Sequence, residues 1–296
     1  MEDRSFRCSI ESDALGEPML GTASTVRNWL LVEHRGPWGR RPLLDARLPR
    51  GITDELHRID RRPGMRVLLI RKHRRSAETR TRCFAIRSGP DECWIQRAEL
   101  ERVDDVLDLD LGAIAEGRDP GREPVSEPLF LVCTHGRRDP CCAERGRPLA
   151  RALAEAEPET TWECTHVGGD RFAGNVLAFP QGLYFGRVEP DEAAGVAESY
   201  RRGRIDLAHY RGRSCYPMTV QAAEHFVREK LELDRIDDVR PVSVRRRGGW
   251  ITVTLETPSG RVDVTLERRG TEPRRLTCHA TEPQPTPEYR LVAIRA

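Results

Sequence analysis

The feature that most constrains this chain is a short stretch crowded with cysteine and histidine. It holds four of the nine cysteines and two of the eight histidines of a 296-residue sequence. Thiolates and imidazoles that arrive from separate loops can hold a transition metal or an iron–sulfur cluster. We therefore expect a metal or redox site built from some of the residues Cys133, His135, Cys141, Cys142, Cys164 and His166.

Composition and charge argue against several other classes of protein. The 49 basic side chains nearly cancel the 47 acidic ones, and a net charge of +2 is not the footprint of a nucleic-acid-binding protein. No run approaches the ~18 apolar residues that span a bilayer, and the N-terminus has no signal-peptide pattern. We expect a cytoplasmic protein with neither nucleic-acid nor membrane partners. In that reducing compartment, clustered cysteines serve metal binding or redox chemistry more often than disulfides.

Residues 1–125 are predicted to form an N-terminal α/β unit. Apolar runs with charged flanks indicate strands, and a segment that follows Thr53 as N-cap indicates a helix. Two further runs across a Ser-Gly-Pro-Asp turn indicate a hairpin. The predicted elements are strands at 28–33 and 66–71, a helix at 51–59 and hairpin strands at 81–86 and 93–96. The turn-rich segment 117–124 marks the end of this unit.

Residues 126–235 are predicted to follow the strand–helix–strand–hairpin–helix order of a thioredoxin-like domain. The strands are expected at 128–132, 160–164, 175–179 and 182–188, and the helices at 147–156, 191–202 and 216–233. Residues 236–296 form a β-rich extension, with strands at 241–244, 250–255, 262–266 and 289–294. The predicted fold class is therefore α/β (α+β), a thioredoxin-like domain between an N-terminal α/β unit and a C-terminal β-rich extension.

Two long motifs carry a family resemblance. The runs 130–142 and 162–175, together with 183–188 and 210–214, closely resemble the sucrase/ferredoxin-like family over about residues 125–230. The resemblance implies a thioredoxin-like protein with a [2Fe–2S] cluster. Sugar hydrolysis, which the first half of the family name suggests, lacks support, because no paired carboxylates stand in a glycosidase-like setting.

The resemblance also implies a ligand set. In eukaryotic members, two cysteines spaced C-x8-C hold one iron, and two histidines in an H-x-G-G-H run hold the other. Cys133 and Cys142 match the cysteines and His166 matches the first histidine, whereas Asp170 stands at the second histidine position. The fourth ligand is therefore open among Cys164, Asp170 and Cys141. We rank Cys164 first, because alternation along an extended segment puts it on the face of His166 and because carboxylate is the harder ligand.

Three further residues are predicted to contact the cofactor. Gly168 and Gly169 let the backbone approach closely, so that their N–H groups can bond to bridging sulfides. Arg171 would offset the negative charge of the cluster. We interpret His135 as a structural residue or a hydrogen-bond donor near the site rather than a ligand. A single imidazole ligand would put the reduction potential between those of all-cysteine and two-histidine clusters.

These inferences favour an iron–sulfur electron carrier, rather than an enzyme, that serves an unidentified redox partner protein. One alternative is a thiol–disulfide oxidoreductase with Cys133, Cys141 or Cys142 as the nucleophile, although the chain lacks a C-x-x-C motif. Another is a structural zinc module with Cys3His ligation, although paired cysteine knuckles are absent. The scattered cysteines are predicted to be packed thiols: Cys8, Cys83, Cys93, Cys215 and Cys278.

Overall fold

The structure is a computed structural model that describes residues 5–74 and 80–295. Its strands are β1 (Asn28–Glu33), β2 (Met65–Arg71), β3 (Thr81–Ser88), β4 (Cys93–Leu100), β5 (Glu123–Pro124), β6 (Leu129–Cys133), β7 (Thr161–Cys164), β8 (Val176–Phe179), β9 (Leu183–Phe185), β10 (Tyr210–Arg213), β11 (Arg240–Arg247), β12 (Trp250–Thr257), β13 (Gly260–Gly270) and β14 (Pro287–Arg295). Its α-helices are α1 (Cys8–Ala14), α2 (Pro42–Asp45), α3 (Arg50–Asp60), α4 (Leu111–Glu116), α5 (Pro140–Glu144), α6 (Gly146–Ala156), α7 (Ala193–Arg201) and α8 (Met218–Leu231). Two 3-10 helices cover Val103–Asp108 and Asp170–Phe172.

Ten strands form one continuous sheet in the order β10-β9-β8-β6-β7-β2-β1-β3-β4-β5. The strands that were predicted in two separate units meet where β2 pairs antiparallel with β7, through Ile70 with Cys164 and Arg71 with Glu163. The central strands β6 and β7 run parallel and are buried along their whole length, which is typical of strands covered on both faces. The sheet therefore continues across the predicted boundary at residues 125/126, and the division into domains stays a prediction.

Alternating residues of the sheet face two different cores. Trp29 and Leu31 of β1 face one core, which includes Phe179 of β8, and the Trp29 and Phe179 rings meet edge to face at 5.0 Å. Helices α3 and α4 cover the opposite face of β1 and β2, and helices α6 and α7 cover that of β6 and β8. The sheet curls around the first core, and the loops after β6 and β7 emerge at one edge of it.

The second sheet is an antiparallel meander in the order β11-β12-β13-β14, and α8 packs against it. Along β12, Ile251, Val253 and Leu255 point into the interface with α8 and are buried. The same alternation places Trp250 on the outer face, where 44% of it is exposed. The register of β12 therefore decides which of its side chains are buried.

The mixed α/β class, the strand–helix–strand–hairpin–helix order and the β-rich extension are confirmed. The predicted helix at 51–59 exists as α3, but Pro49 rather than Thr53 is its N-cap. Four short helices and strand β10 were not predicted, because segments of four to seven residues are too short to show a periodic pattern. Within the described residues, no helix is both long enough and apolar enough to cross a membrane.

Candidate metal centre

The first half of the site is the segment that follows β6. Strand β6 ends at Cys133, and the next element is the five-residue helix α5. The carboxylate of Asp139 caps this helix by accepting the N–H of Cys141 at 2.9 Å, and Pro140 starts the first turn. Because successive residues of a helix are rotated by roughly 100°, Cys141 and Cys142 point in different directions. Only Cys142 turns toward Cys133.

The second half is the segment that follows β7. After Cys164 the chain passes through His166 to two glycines with positive φ, Gly168 at +92° and Gly169 at +80°. Residues with side chains rarely adopt this left-handed conformation, so glycine suits a sharp reversal here. The reversal brings Asp170 back toward His166, with 3.1 Å between Nδ1 of His166 and Oδ1 of Asp170.

The two segments converge. The ligand atoms of Cys133, Cys142 and His166 lie within 4.8 Å of one another. Sγ of Cys142 is 3.8 Å from Nδ1 of His166 and 3.8 Å from Oδ1 of Asp170. We call these four residues the mixed-ligand site. Both cysteines and Asp170 are buried, whereas the side chain of His166 is 20% exposed and forms the solvent edge of the site.

The groups of the mixed-ligand site shift one another's pKa values. The hydrogen bond from Cys142 and the nearby imidazole of His166 lower the pKa of Cys133, and together they outweigh burial, which would raise it. The hydrogen bond with Cys133 and burial both raise the pKa of Cys142. Burial raises the pKa of Asp170 to about 6. Burial lowers the pKa of His166, but Cys133 and Asp170 outweigh it and raise the value overall. The site therefore favours a thiolate at Cys133 beside a protonated imidazole.

His135 supports the site without joining it. Its Nε2 lies 2.8 Å from the carbonyl oxygen of Gly39, and its Nδ1 accepts the backbone N–H of His166 at 3.3 Å. With Nε2 as donor and Nδ1 as acceptor, both ring nitrogens are engaged by the backbone. The imidazole thus ties the loop after β6 to the loop after β7, which agrees with the structural role expected for it.

The other two candidates for the fourth ligand lie elsewhere. Cys164 is fully buried and packs in the core beside Cys133, its partner in the parallel β6–β7 register, and burial raises its pKa well above the usual range. Cys141 belongs to a different group of thiols on the other side of α5. The 4.8 Å group includes neither of these sulfurs nor an oxygen of Asp170, but Asp170 contacts two members of that group. Which residue completes the ligand set stays a prediction.

Arg211 contacts the reversal at Gly168 and Gly169, which we call the glycine turn. Its Nη1 donates to the carbonyl oxygen of Gly168 at 3.2 Å, and a Cβ on Gly169 would lie 2.3 Å from its Nη2. The close approach that requires glycine is therefore made by this guanidinium. The predicted cofactor contact Arg171 donates to Glu17 at 2.8 Å, so its charge is already paired with a carboxylate that is 4% exposed.

Arg211 is the residue near the site that our reasoning from the sequence missed. It is buried, and within the described residues its hydrogen bonds all end on uncharged oxygens of Thr22, Gly168 and Asn175. Burial lowers its pKa to about 10. A buried cation without a carboxylate is costly, and an anionic group at the mixed-ligand site would offset it. The signal was available, since Arg211 lies in the run 210–214 that contributes to the family resemblance.

The comparisons with curated relatives cover a minority of the chain. Altered inheritance of mitochondria protein 32 from Meyerozyma guilliermondii is 33% identical over 101 residues, which is 30% of this chain and 36% of that protein. The protein of the same name from Saccharomyces cerevisiae strain YJM789 is 32% identical over 96 residues, 28% of this chain and 31% of that protein. This chain therefore spans about a third of the length of the curated relatives it matches.

Among solved structures, a thioredoxin-like [2Fe–2S] ferredoxin from Aquifex aeolicus matches 31% of this chain and 97% of its own, with 18% identity and a TM-score of 0.28. A Cys-to-Ser variant of that ferredoxin matches 29% of this chain and 100% of its own, with 19% identity and a TM-score of 0.27. The sequence model described as Sucrase/ferredoxin-like matches residues 19–212, which include both halves of the mixed-ligand site. The chain belongs to the sucrase/ferredoxin-like family.

Proposed function

We propose that this protein is an electron carrier with a [2Fe–2S] cluster at the mixed-ligand site. Cys133 and Cys142 would hold one iron, and His166 and Asp170 the other. The observation that carries the proposal is the convergence of two thiols, an imidazole and a carboxylate at one buried edge of the sheet, in a member of this family. A cluster bound there would supply one-electron oxidation and reduction.

The chemistry of the four side chains fits the group. Thiolates suit ferric iron, imidazole is a neutral ligand, and carboxylate oxygen is a hard ligand that also suits ferric iron. We assign the fourth position to Asp170 rather than Cys164, in contrast to our ranking from the sequence. The contacts of Asp170 with Cys142 and His166 support this order.

The surrounding residues would set the strength of the charge interactions at the site and the side from which a partner protein can reach it. Burial of Cys133, Cys142 and Asp170 excludes water, which strengthens the charge interactions among them. Arg211 supplies positive charge beneath the glycine turn, and the half-buried His166 is the edge at which electrons would leave for a partner protein. We further propose that the partner is a redox protein of the same reducing, cytoplasmic compartment. All nine cysteines are free in the structure, which agrees with that setting.

The test is purification under argon followed by iron, sulfide and paramagnetic-resonance measurements. We expect about two irons and two sulfides per chain, visible absorbance and a resonance signal after one-electron reduction. Cys133→Ser should lose all three signals, and Cys83→Ser, which alters an equally buried thiol outside the site, should retain them. A folded, colourless chain without sulfide would contradict the proposal. About one zinc that disappears in Cys133→Ser would instead indicate a zinc module.

One observation favours a second function, thiol–disulfide exchange. Cys133 and Cys142 are hydrogen-bonded partners, and the lowered pKa of Cys133 is what a nucleophilic thiol requires. Against it stands the burial of both sulfurs, which leaves no approach for a disulfide substrate. Reduction of insulin disulfides by the iron-free protein, lost in Cys133→Ser, would establish this function.

A further inference from the structure

A second group of thiols lies on the other side of α5 from the mixed-ligand site. It consists of Cys8, Cys141 and Cys278, and all three are buried. The Sγ–Sγ distances are 3.8 Å from Cys8 to Cys141, 3.4 Å from Cys141 to Cys278 and 3.7 Å from Cys278 to Cys8. Three sulfurs thus form a nearly equilateral triangle in the interior. The sequence predicts Cys8 and Cys278 to be packed thiols, and both are buried; what the sequence does not show is that the fold brings them together.

Asp139 organises this triangle. One oxygen accepts the N–H of Cys141 at 2.9 Å, and the other accepts the N–H of Cys278 at 2.7 Å. Its two oxygens are 3.8 and 3.9 Å from Sγ of Cys8, and its ligand atom lies within 4.8 Å of all three sulfurs. Four potential ligands therefore converge, and we call Cys8, Cys141, Cys278 and Asp139 the three-thiol site.

The spacing of the sulfurs fits a single metal ion that all three could bind. Zinc–sulfur bonds of about 2.3 Å in a tetrahedral site put neighbouring sulfurs about 3.8 Å apart. The three distances at this site, between 3.4 and 3.8 Å, are close to that value. A disulfide would require about 2.05 Å between one pair and would leave the third thiol alone.

We propose that Cys8, Cys141, Cys278 and Asp139 bind one structural zinc ion. Three thiolates and one carboxylate complete a tetrahedral set, and the hard carboxylate disfavours copper(I). The site is closed, with all four residues buried and no open position for a substrate, as in structural zinc centres. On binding, the thiols release their protons. This inference does not depend on a cluster at the mixed-ligand site.

The positive charge nearby suits such a centre. Arg7 pairs with Glu144 at the end of α5, and its charge also interacts with Cys141 and Cys278. Arg275 donates to the carbonyl oxygen of Cys278 at 3.1 Å. Both guanidinium groups would offset the negative charge left by three thiolates, a carboxylate and one divalent ion.

The zinc ion would join three distant parts of the chain. Cys8 begins α1, Cys141 lies on α5, and Cys278 lies between β13 and β14. Because α5 also carries Cys142, the ion would hold in place one wall of the mixed-ligand site. The metal would thus link α1 and the segment between β13 and β14 to α5, the helix that the two sites share.

The experiment is metal analysis of the full chain purified with zinc available. We expect about one zinc per chain, reduced at least tenfold by Cys8→Ser and by Cys278→Ser, with no change in Cys83→Ser. Iron and sulfide are measured in the same samples and should remain in Cys8→Ser and Cys278→Ser. Loss of iron without loss of zinc in Cys133→Ser would show that the two sites are separate, so that each proposal can fail alone.

A second measurement keeps the proposal testable if the serine variants do not fold. The unaltered chain is stripped of zinc and titrated with cobalt(II), which reports thiolate ligation by an intense charge-transfer band and tetrahedral geometry by its visible bands. One equivalent with three-thiolate intensity supports the proposal. Zinc that persists in both variants, absence of the cobalt bands, or a disulfide between two of the three thiols in protein kept under argon would overturn it.

Discussion

The mixed-ligand site and the three-thiol site share one short helix and differ in almost everything else. Cys142 and Cys141 are neighbours on α5, yet one faces an imidazole and a carboxylate and the other faces two further thiols. The mixed-ligand site reaches solvent at His166, whereas the three-thiol site is closed. Mixed ligands at a solvent edge suit a redox centre, while a closed, sulfur-rich set suits a structural ion.

The adjacent thiols give the strongest test of this difference. Cys142→Ala should abolish iron binding and leave zinc, because it removes a thiolate from the mixed-ligand site alone. Cys141→Ala should abolish zinc binding and leave most of the iron. Both metals are measured by mass spectrometry on anaerobic protein. If the two variants lose the same metal, the separation of the sites is wrong.

Variants of Asp170 and Cys164 test which residue is the fourth ligand at the mixed-ligand site. Asp170→Ala should weaken iron retention at least about tenfold, since even supporting groups of metal sites contribute that much. Cys164→Ala should keep the iron and lower only the free energy of unfolding, because its sulfur is not part of the group that Cys133, Cys142 and His166 form. Iron content after gel filtration with a chelator checks both variants. Iron loss confined to Cys164→Ala would restore our ranking from the sequence.

Substitution in the glycine turn tests whether Arg211 is fixed in position beside Gly169. Gly169→Ala adds a Cβ 2.3 Å from Arg211, and Gly203→Ala is a matched control with a φ of +71° and open space around it. The control should lose about 1 kcal/mol of unfolding free energy from backbone strain alone. Gly169→Ala should lose at least twice as much, and urea unfolding measures both. Equal losses would mean that Arg211 can move aside.

Arg171 gives the smallest expected effect. Because it pairs with buried Glu17, Arg171→Gln should lower the free energy of unfolding by about 1–2 kcal/mol and leave iron content unchanged. The double variant Arg171→Gln, Glu17→Gln should recover most of that loss, since no buried carboxylate is then left alone. Chemical denaturation with iron analysis checks the pair. Iron loss in Arg171→Gln would instead support the contact with the cofactor predicted from the sequence.

Most of the large elements were predictable, because apolar runs and alternation are local signals. The strands 28–33 and 175–179 and helix α6 have nearly the bounds expected from their patterns. The mixed-ligand site was largely predictable for the same reason, since its residues lie within 133–170. The role of Asp170 was harder to foresee, because it depends on how sharply Gly168 and Gly169 reverse the chain.

The three-thiol site was hidden because its residues are far apart in sequence. Cys8 and Cys278 meet only after the ends of the chain fold against α5, a packing that no local pattern reveals. The direction of Cys141 was equally hidden, since a five-residue helix is too short to show which face each thiol takes. Chemistry built from local loops can be predicted from spacing, whereas chemistry built from long-range contacts requires the fold.

The assignment of two separate metal sites is tested most directly by the content of iron, sulfide and zinc in one folded sample isolated under argon. We predict about two irons, two sulfides and one zinc per chain, with the metals on opposite sides of α5. A folded chain that contains neither iron nor sulfide would contradict it.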